Sequence, residues 1–209
     1  MNTKINTKRK RVKFASDNVT GACPEVLEAV IKANDGIVPP YGNDEISGVL
    51  QEKFSKIFEK DVIVYPTASG TASNALALSA ISPSFGNIYC HKFSHINVDE
   101  CGAPEFYTGG AKLVPLNGED GKITTEELKN SIGGFGIVHH TQPSIVSITQ
   151  ATETGEVYTL EQIKNISEIT HKHNLKMHMD GARFANALVS LDVSPAEMTW
   201  KSGIDILSF

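Results

Sequence analysis

Short apolar runs alternate along this chain with stretches whose apolar residues recur every three or four positions. The runs cover residues 61–66, 87–90, 112–116, 136–139, 145–149, 176–180 and 204–209. They are brief and rich in Val and Ile, and read as β-strands. The intervening stretches read as helices. Residues 24–34 carry Val26, Leu27, Val30 and Ile31 on one face, with Pro24 at the start and Gly36 just past the end. Residues 44–59 repeat Ile46, Val49, Leu50, Ile57 and Phe58, and Thr124-x-x-Glu127 and Thr159-x-x-Gln162 are capping boxes that open two more helices. Strands alternating with crossover helices predict an α/β fold, a three-layer αβα arrangement around a mainly parallel sheet. Ligands of such sheets gather at the carboxyl ends of the strands, which directs the search for chemistry.

Composition agrees with a globular domain: 209 residues, 40% hydrophobic and 21% charged. Net charge is −5, which argues against a dedicated nucleic-acid binder. Six of the 19 basic residues fall within the first thirteen positions, with no acid among them. Residues 1–13 are therefore expected to be a basic tail, and residues 14–209 the domain. Cys23, Cys90 and Cys101 are too few and too scattered for a disulfide framework. No run approaches the ~20 apolar residues of a membrane span, and the N-terminus lacks a secretory signal, so a cytoplasmic location is expected.

Three strand ends carry unusual residues. After residues 61–66 comes Thr67-Ala68-Ser69-Gly70-Thr71-Ala72-Ser73-Asn74, which leads into an Ala- and Leu-rich helix. Free N–H groups at a helix N-terminus suit a phosphate, and the same hydroxyls equally suit ordinary capping. The strand 176–180 ends in Asp180-Gly181-Ala182-Arg183. That pair reads either as a structural ion pair or as an anionic partner for a protonated ring nitrogen beside a carboxylate-binding guanidinium. His95 follows the strand 87–90 and could stack on a flat ligand or move protons. His171, His173 and His178 hint at metal, but the first two lie two positions apart on a helix and so point about 200° apart. No metal site is expected.

These pieces, in this order, resemble the fold-type I pyridoxal-phosphate enzymes, and within them the low-specificity threonine aldolases of the β-eliminating lyase family. The resemblance runs from about Phe14 to Phe209. It rests on FASDNVTGACPEV, YGND, TASGTASNALAL, HINVDECGAPEF, the segment ending SITQATETGEVY, and MHMDGAR. It implies pyridoxal 5'-phosphate as cofactor and an amino acid as substrate. Gly70 and Thr71 would bind the phosphate and Asn74 would support their loop. His95 would stack on the pyridine ring, Asp180 would pair with its nitrogen, and Arg183 would reach the phenolic oxygen or the substrate carboxylate. Ser16 and Tyr41 would help bind substrate. His139 matches a second histidine near the substrate hydroxyl. The implied reaction is retro-aldol cleavage of L-threonine or L-allo-threonine to glycine and acetaldehyde, with His95, His139 or a water as base.

The resemblance also implies a Schiff-base lysine shortly after the strand that ends at Phe209. Lys201 precedes that strand and does not match it. The domain is accordingly expected to be incomplete at its C-terminal side, and the chain as given to be inactive. Two readings stay open: the N-terminal part of a threonine aldolase, or a non-catalytic remnant or pyridoxal-phosphate-binding module of the same fold. Family members assemble as dimers of dimers, so a homo-oligomer is expected of the intact protein.

Overall fold

The computed structural model describes residues 19–209, in two units divided after Gly48. Ser16 and the expected boundary at residue 13 lie outside the described residues. In the first unit, Pro24 opens α1 (Pro24–Ala33), whose expected apolar face (Val26, Leu27, Val30, Ile31) is exposed. A short α2 (Glu45–Gly48) is held by Asp44, whose carboxylate accepts from the Ser47 N–H and hydroxyl at 2.9 and 2.7 Å. The single helix expected over residues 44–59 is thus interrupted around Gly48, and α3 (Leu50–Ile57) begins the second unit.

The second unit continues through α4 (Gly70–Ile81), β1 (Gly86–His91), α5 (His95–Val98), α6 (Ala103–Tyr107), β2 (Lys112–Leu116), α7 (Thr125–Ser131), β3 (Gln142–Thr149), α8 (Leu160–Lys172), β4 (Lys176–Asp180), α9 (Phe184–Leu191), α10 (Pro195–Met198) and β5 (Ile206–Ser208). The strands form a five-stranded sheet in the order β2-β1-β3-β4-β5, with every pairing parallel. Helices cover both faces, as the αβα expectation required. Alternation along the strands feeds two cores: Ile88, Cys90 and Ile145 pack with Leu78 of α4 on one face. Tyr89, Val146, Ile148, Met177 and Met179 pack with Ile163, Ile166 and Ile169 of α8 on the other. Each fully buried aliphatic residue contributes about 1.5–3 kcal/mol through removal from water.

Two expected strands do not form. Residues 61–66 carry no regular secondary structure, and no strand lies beside them among the described residues. The Gln51 side chain takes that place, donating to the Val64 carbonyl at 2.8 Å and accepting from its N–H at 2.9 Å. Residues 136–139 form turns, because Gly134 and Gly136 adopt φ of +80° and +71°, outside strand geometry. Gln142 fastens that loop, accepting from the Gly136 N–H and donating to the carbonyls of Gly134, Ile137 and His140. The capping boxes also differ. Thr159 and Gln162 close one reciprocally, whereas Glu127 turns its carboxylate to the Asn117 N–H, so Thr124 caps α7 alone. Ser194 and Glu197 close a further box that was not foreseen.

Parallel register brings Thr149, Asp180 and Ser208 into one row at the carboxyl edge of the sheet. Gly181 follows directly, donating its N–H to the Ser208 carbonyl at 2.6 Å. A Cβ on Gly181 would stand 2.8 Å from that carbonyl oxygen and 2.8 Å from Leu207 Cδ1. Backbone cannot yield as a side-chain tip can, so Gly181→Ala is expected to destabilise the fold by about 1–3 kcal/mol, read from the midpoint of urea unfolding.

Candidate active site

A pocket of about 270 Å³ lies where α4 meets the carboxyl ends of β4 and β5. Its floor is Asp180 with Asn74, one wall is Thr67 to Gly70, and Ser208 and Phe209 form the other side. Ser69 is the N-cap of α4: its hydroxyl accepts from the Ala72 N–H at 3.2 Å and its carbonyl from the Ser73 N–H at 3.0 Å. The N–H groups of Gly70 and Thr71 have no partner among the described residues, and nothing lies within 4 Å of a Cβ built on Gly70. A twelve-residue helix therefore presents two open donors, and the positive end of its dipole, to a cavity that a ligand phosphate could enter.

Asn74, 2% exposed, joins this helix to two carboxylates. Its Nδ2 donates to Glu100 Oε1 at 2.7 Å and to Asp180 Oδ2 at 3.0 Å, while its Oδ1 is buried without a partner among the described residues. Asp180 also accepts from the Ala182 N–H at 3.1 Å through Oδ1. Glu100 Oε1 lies 2.9 Å from Nδ1 of His95, the first residue of α5. Burial by itself lowers the proton affinity of His95; the Glu100 hydrogen bond and the charges of Glu100, Asp180 and Glu153 outweigh it and raise the pKa. Arg183 caps the start of α9 and pairs with Glu153 at 2.7 Å, also donating to the Ala151 carbonyl at 3.3 Å.

Of the residues singled out in the sequence, Gly70, Asn74 and Asp180 line one pocket, Thr71 follows in the first turn of α4, and His95 joins through Glu100. His139 does not come to this pocket. It sits in an exposed turn before β3, at the amino edge of a parallel sheet whose carboxyl edge carries the pocket, so the strand expected to present it is a loop instead. Tyr41 belongs to the first unit, exposed and with φ of +63°. The late histidines do not converge: His171 bonds Asp205, His173 stacks on Phe135, and His178 is interior. Glu100 and Glu153 carry no role in the sequence reading, and His178 enters it only as a candidate metal ligand. A carboxylate five positions after His95 was the available signal for Glu100, but its burial is a tertiary fact.

The open helix N-terminus, the unencumbered glycine and the orphaned Asn74 oxygen fit a phosphorylated ring set against a strand-end carboxylate. Together with the three-layer parallel sheet they define the class: the fold is that of the fold-type I pyridoxal-phosphate enzymes. The sequence profile of the beta-eliminating lyase family matches residues 13–209, and the chain belongs to that family. It is 44% identical over 196 residues to the low specificity L-threonine aldolase of a Pseudomonas species, and 42% identical to that of Pseudomonas aeruginosa. Each match covers 94% of this chain and 57% of the relative, so the chain spans little more than half the length of these proteins. A Leishmania major threonine aldolase structure superposes with a TM-score of 0.80 at 26% identity, covering 86% of this chain and 53% of that one.

His178, fully buried beneath Asp180, bridges Ser147 (2.8 Å to Nδ1) and Ser208 (2.9 Å to Nε2). Burial pushes its pKa down to about 4, the nearby Asp180 charge opposing this only in part. Below the ordinary histidine value the unfolded chain takes up a proton that the folded chain refuses. The resulting stability is complete above about pH 6.5 and is lost progressively toward pH 4, on the order of 3 kcal/mol in all. Urea midpoints are expected to fall across that window, and His178→Gln to flatten the decline.

Proposed function

We propose that this pocket binds pyridoxal 5'-phosphate and serves a lyase that cleaves L-threonine or L-allo-threonine to glycine and acetaldehyde by retro-aldol chemistry. The observation that carries the reading is the meeting, at one pocket, of two open helix N–H groups and the Asp180 carboxylate, in a chain close in sequence to threonine aldolases. Gly70 and Thr71 would hold the phosphate, and Asn74 would brace their helix against Asp180. When bound, the cofactor supplies an electron sink for the pair released as the Cα–Cβ bond breaks. Asp180 contributes fixed negative charge that keeps a proton on a ring nitrogen set against it. His95 would lie over the ring and exchange a proton with the substrate β-hydroxyl, directly or through a water; its imidazole is suited to that task near neutral pH. Arg183 would bind the substrate carboxylate, and the likeness to threonine aldolases gives Ser16 and Tyr41 substrate contacts of their own. His139, at the opposite sheet edge, does not reach this pocket within one chain.

We extend the reading to a cytoplasmic homotetramer, a dimer of dimers that takes part in glycine metabolism. Large apolar side chains left uncovered, among them Ile63, Phe106, Val138 and Val189, support association. Among the described residues no helix is long and apolar enough to cross a membrane. A second reading, a cofactor-binding module without turnover, is favoured by one feature: no lysine lines the pocket among the described residues. Lys201 is committed to Glu59 at 2.6 Å, with its ammonium near the Trp200 ring.

Equilibrium dialysis of the chain with pyridoxal 5'-phosphate is expected to show saturable binding. Asp180→Ala and Gly70→Asp should each weaken it by about tenfold or more, since a charge-assisted contact contributes about 1.5–3 kcal/mol. The 209-residue chain is expected to release no acetaldehyde from threonine. Binding indifferent to both substitutions would overturn the site, and turnover abolished by Lys201→Ala would overturn the exclusion of that lysine.

A further inference from the structure

Glu100 stands between His95 and Asp180 with no part in the reaction described above. Its side chain is fully buried on the segment joining α5 to α6. Oε1 serves two neighbours, Asn74 Nδ2 at 2.7 Å and His95 Nδ1 at 2.9 Å, and Oε2 is buried without a partner among the described residues. A carboxylate withdrawn from water is costly unless a cation or several donors answer it. His95 is the group within hydrogen-bond reach that can carry the answering charge.

The orientation of Asn74 follows from the same constraint. Its amide faces two carboxylates, so both protons of Nδ2 are engaged and Oδ1 must turn away, even though it finds no partner there. The amide therefore links the two carboxylates through one polarisable group. With a carboxylate at Nδ1, the neutral form of His95 keeps its proton on that nitrogen. Nε2 has no partner among the described residues, and the side chain is 39% exposed.

We propose that Glu100 is a positioning residue: it fixes the ring and tautomer of His95 by holding the Nδ1 proton, leaves Nε2 as the proton-exchanging atom, and through Asn74 couples the protonation of His95 to the charge of Asp180. The charged groups around His95 are Glu100 from the α5–α6 segment, Asp180 from the end of β4, and Glu153 from the segment after β3, the last paired with Arg183. Among the described residues Glu100 is the acid that touches the ring, so its charge has the greatest leverage on the proton. The proposal deepens the pyridoxal-phosphate reading and takes its catalytic meaning from it.

Its test needs no cofactor. Imidazole nitrogen shifts of the uniformly ¹⁵N-labelled chain, titrated by NMR with His95→Gln used for assignment, report both midpoint and tautomer. Wild-type His95 is expected to titrate above the ordinary histidine value and to hold its neutral-form proton on Nδ1. Glu100→Gln should lower its proton affinity about tenfold or more, one pKa unit, and Glu100→Asp should restore part of the loss. A purely structural role would reduce stability while leaving the His95 midpoint in place, and an unmoved midpoint or an Nε2–H tautomer overturns the proposal. Should the variants fail to fold, the wild-type chain still decides: the Asn74 side-chain amide shifts must follow the His95 midpoint, and their independence of it overturns the coupling. Failure to bind pyridoxal 5'-phosphate would sink the cofactor reading and leave these titrations untouched.

Discussion

One amide holds the site together. Asn74 spends both of its protons on carboxylates, Glu100 and Asp180, that come from distant parts of the chain. Two buried anions on one side chain repel each other, and a buried charge left unpaired is among the more destabilising features a fold can carry. The arrangement holds because each anion has further donors. Asp180 has the Ala182 N–H and stands at the carboxyl end of a parallel strand, and Glu100 has His95. Fixing Asn74 also fixes the first turn of α4, so the two open N–H groups at Gly70 and Thr71 are held in register with Asp180 across the pocket. Anion-binding and charge-bearing sides of the cavity are therefore one mechanical unit.

That unit depends on the sheet. In a parallel sheet every strand delivers its carboxyl end to the same edge, so Thr149, Asp180 and Ser208 fall into line without further instruction. Gly181 lets the chain turn away against Ser208 where any side chain would collide with backbone. The pocket is thus a product of topology first and of particular side chains second. Helices on both faces bury the strands and leave the edge as the open place for chemistry.

The strands that were legible in the sequence were those whose apolar residues meet partners within the chain. Residues 112–116 and 176–180 became β2 and β4 with the expected bounds, because Val114 and Leu116, and Met177 and Met179, pack into one core and each strand pairs with a neighbour. Residues 61–66 have the composition of a strand, but a strand is a relation between two segments, and Gln51 supplies only two of the bonds a neighbour would. Residues 136–139 failed for a local reason, two glycines in left-handed conformation beside an apolar run. Within the pocket, Asp180 was legible as the end of a strand, and Gly70 and Asn74 as the opening of a helix. Glu100 was not, since nothing in a run of polar residues announces which acid will be drawn into the interior. The strand expected over residues 136–139 misplaced His139, because an apolar run beside a histidine resembles a strand whether or not a neighbour pairs with it.

The neutral histidine beneath the site completes the electrostatic logic. His178 lies close enough to Asp180 for their charges to interact, and a protonated imidazole there would neutralise the carboxylate from below. Burial keeps the ring uncharged until well below neutral pH, and Ser147 and Ser208 satisfy both of its nitrogens within the sheet. Asp180 is therefore supported from beneath by dipoles and from the side by an amide, none of which cancels its charge. Its negative charge is left directed at the pocket, where a ring nitrogen would share it, while the cation-forming histidine of the site, His95, is placed on the other carboxylate. The two acids are chemically alike, and what separates their roles is the neighbour each is given: a neutral imidazole under Asp180 and a protonatable one against Glu100.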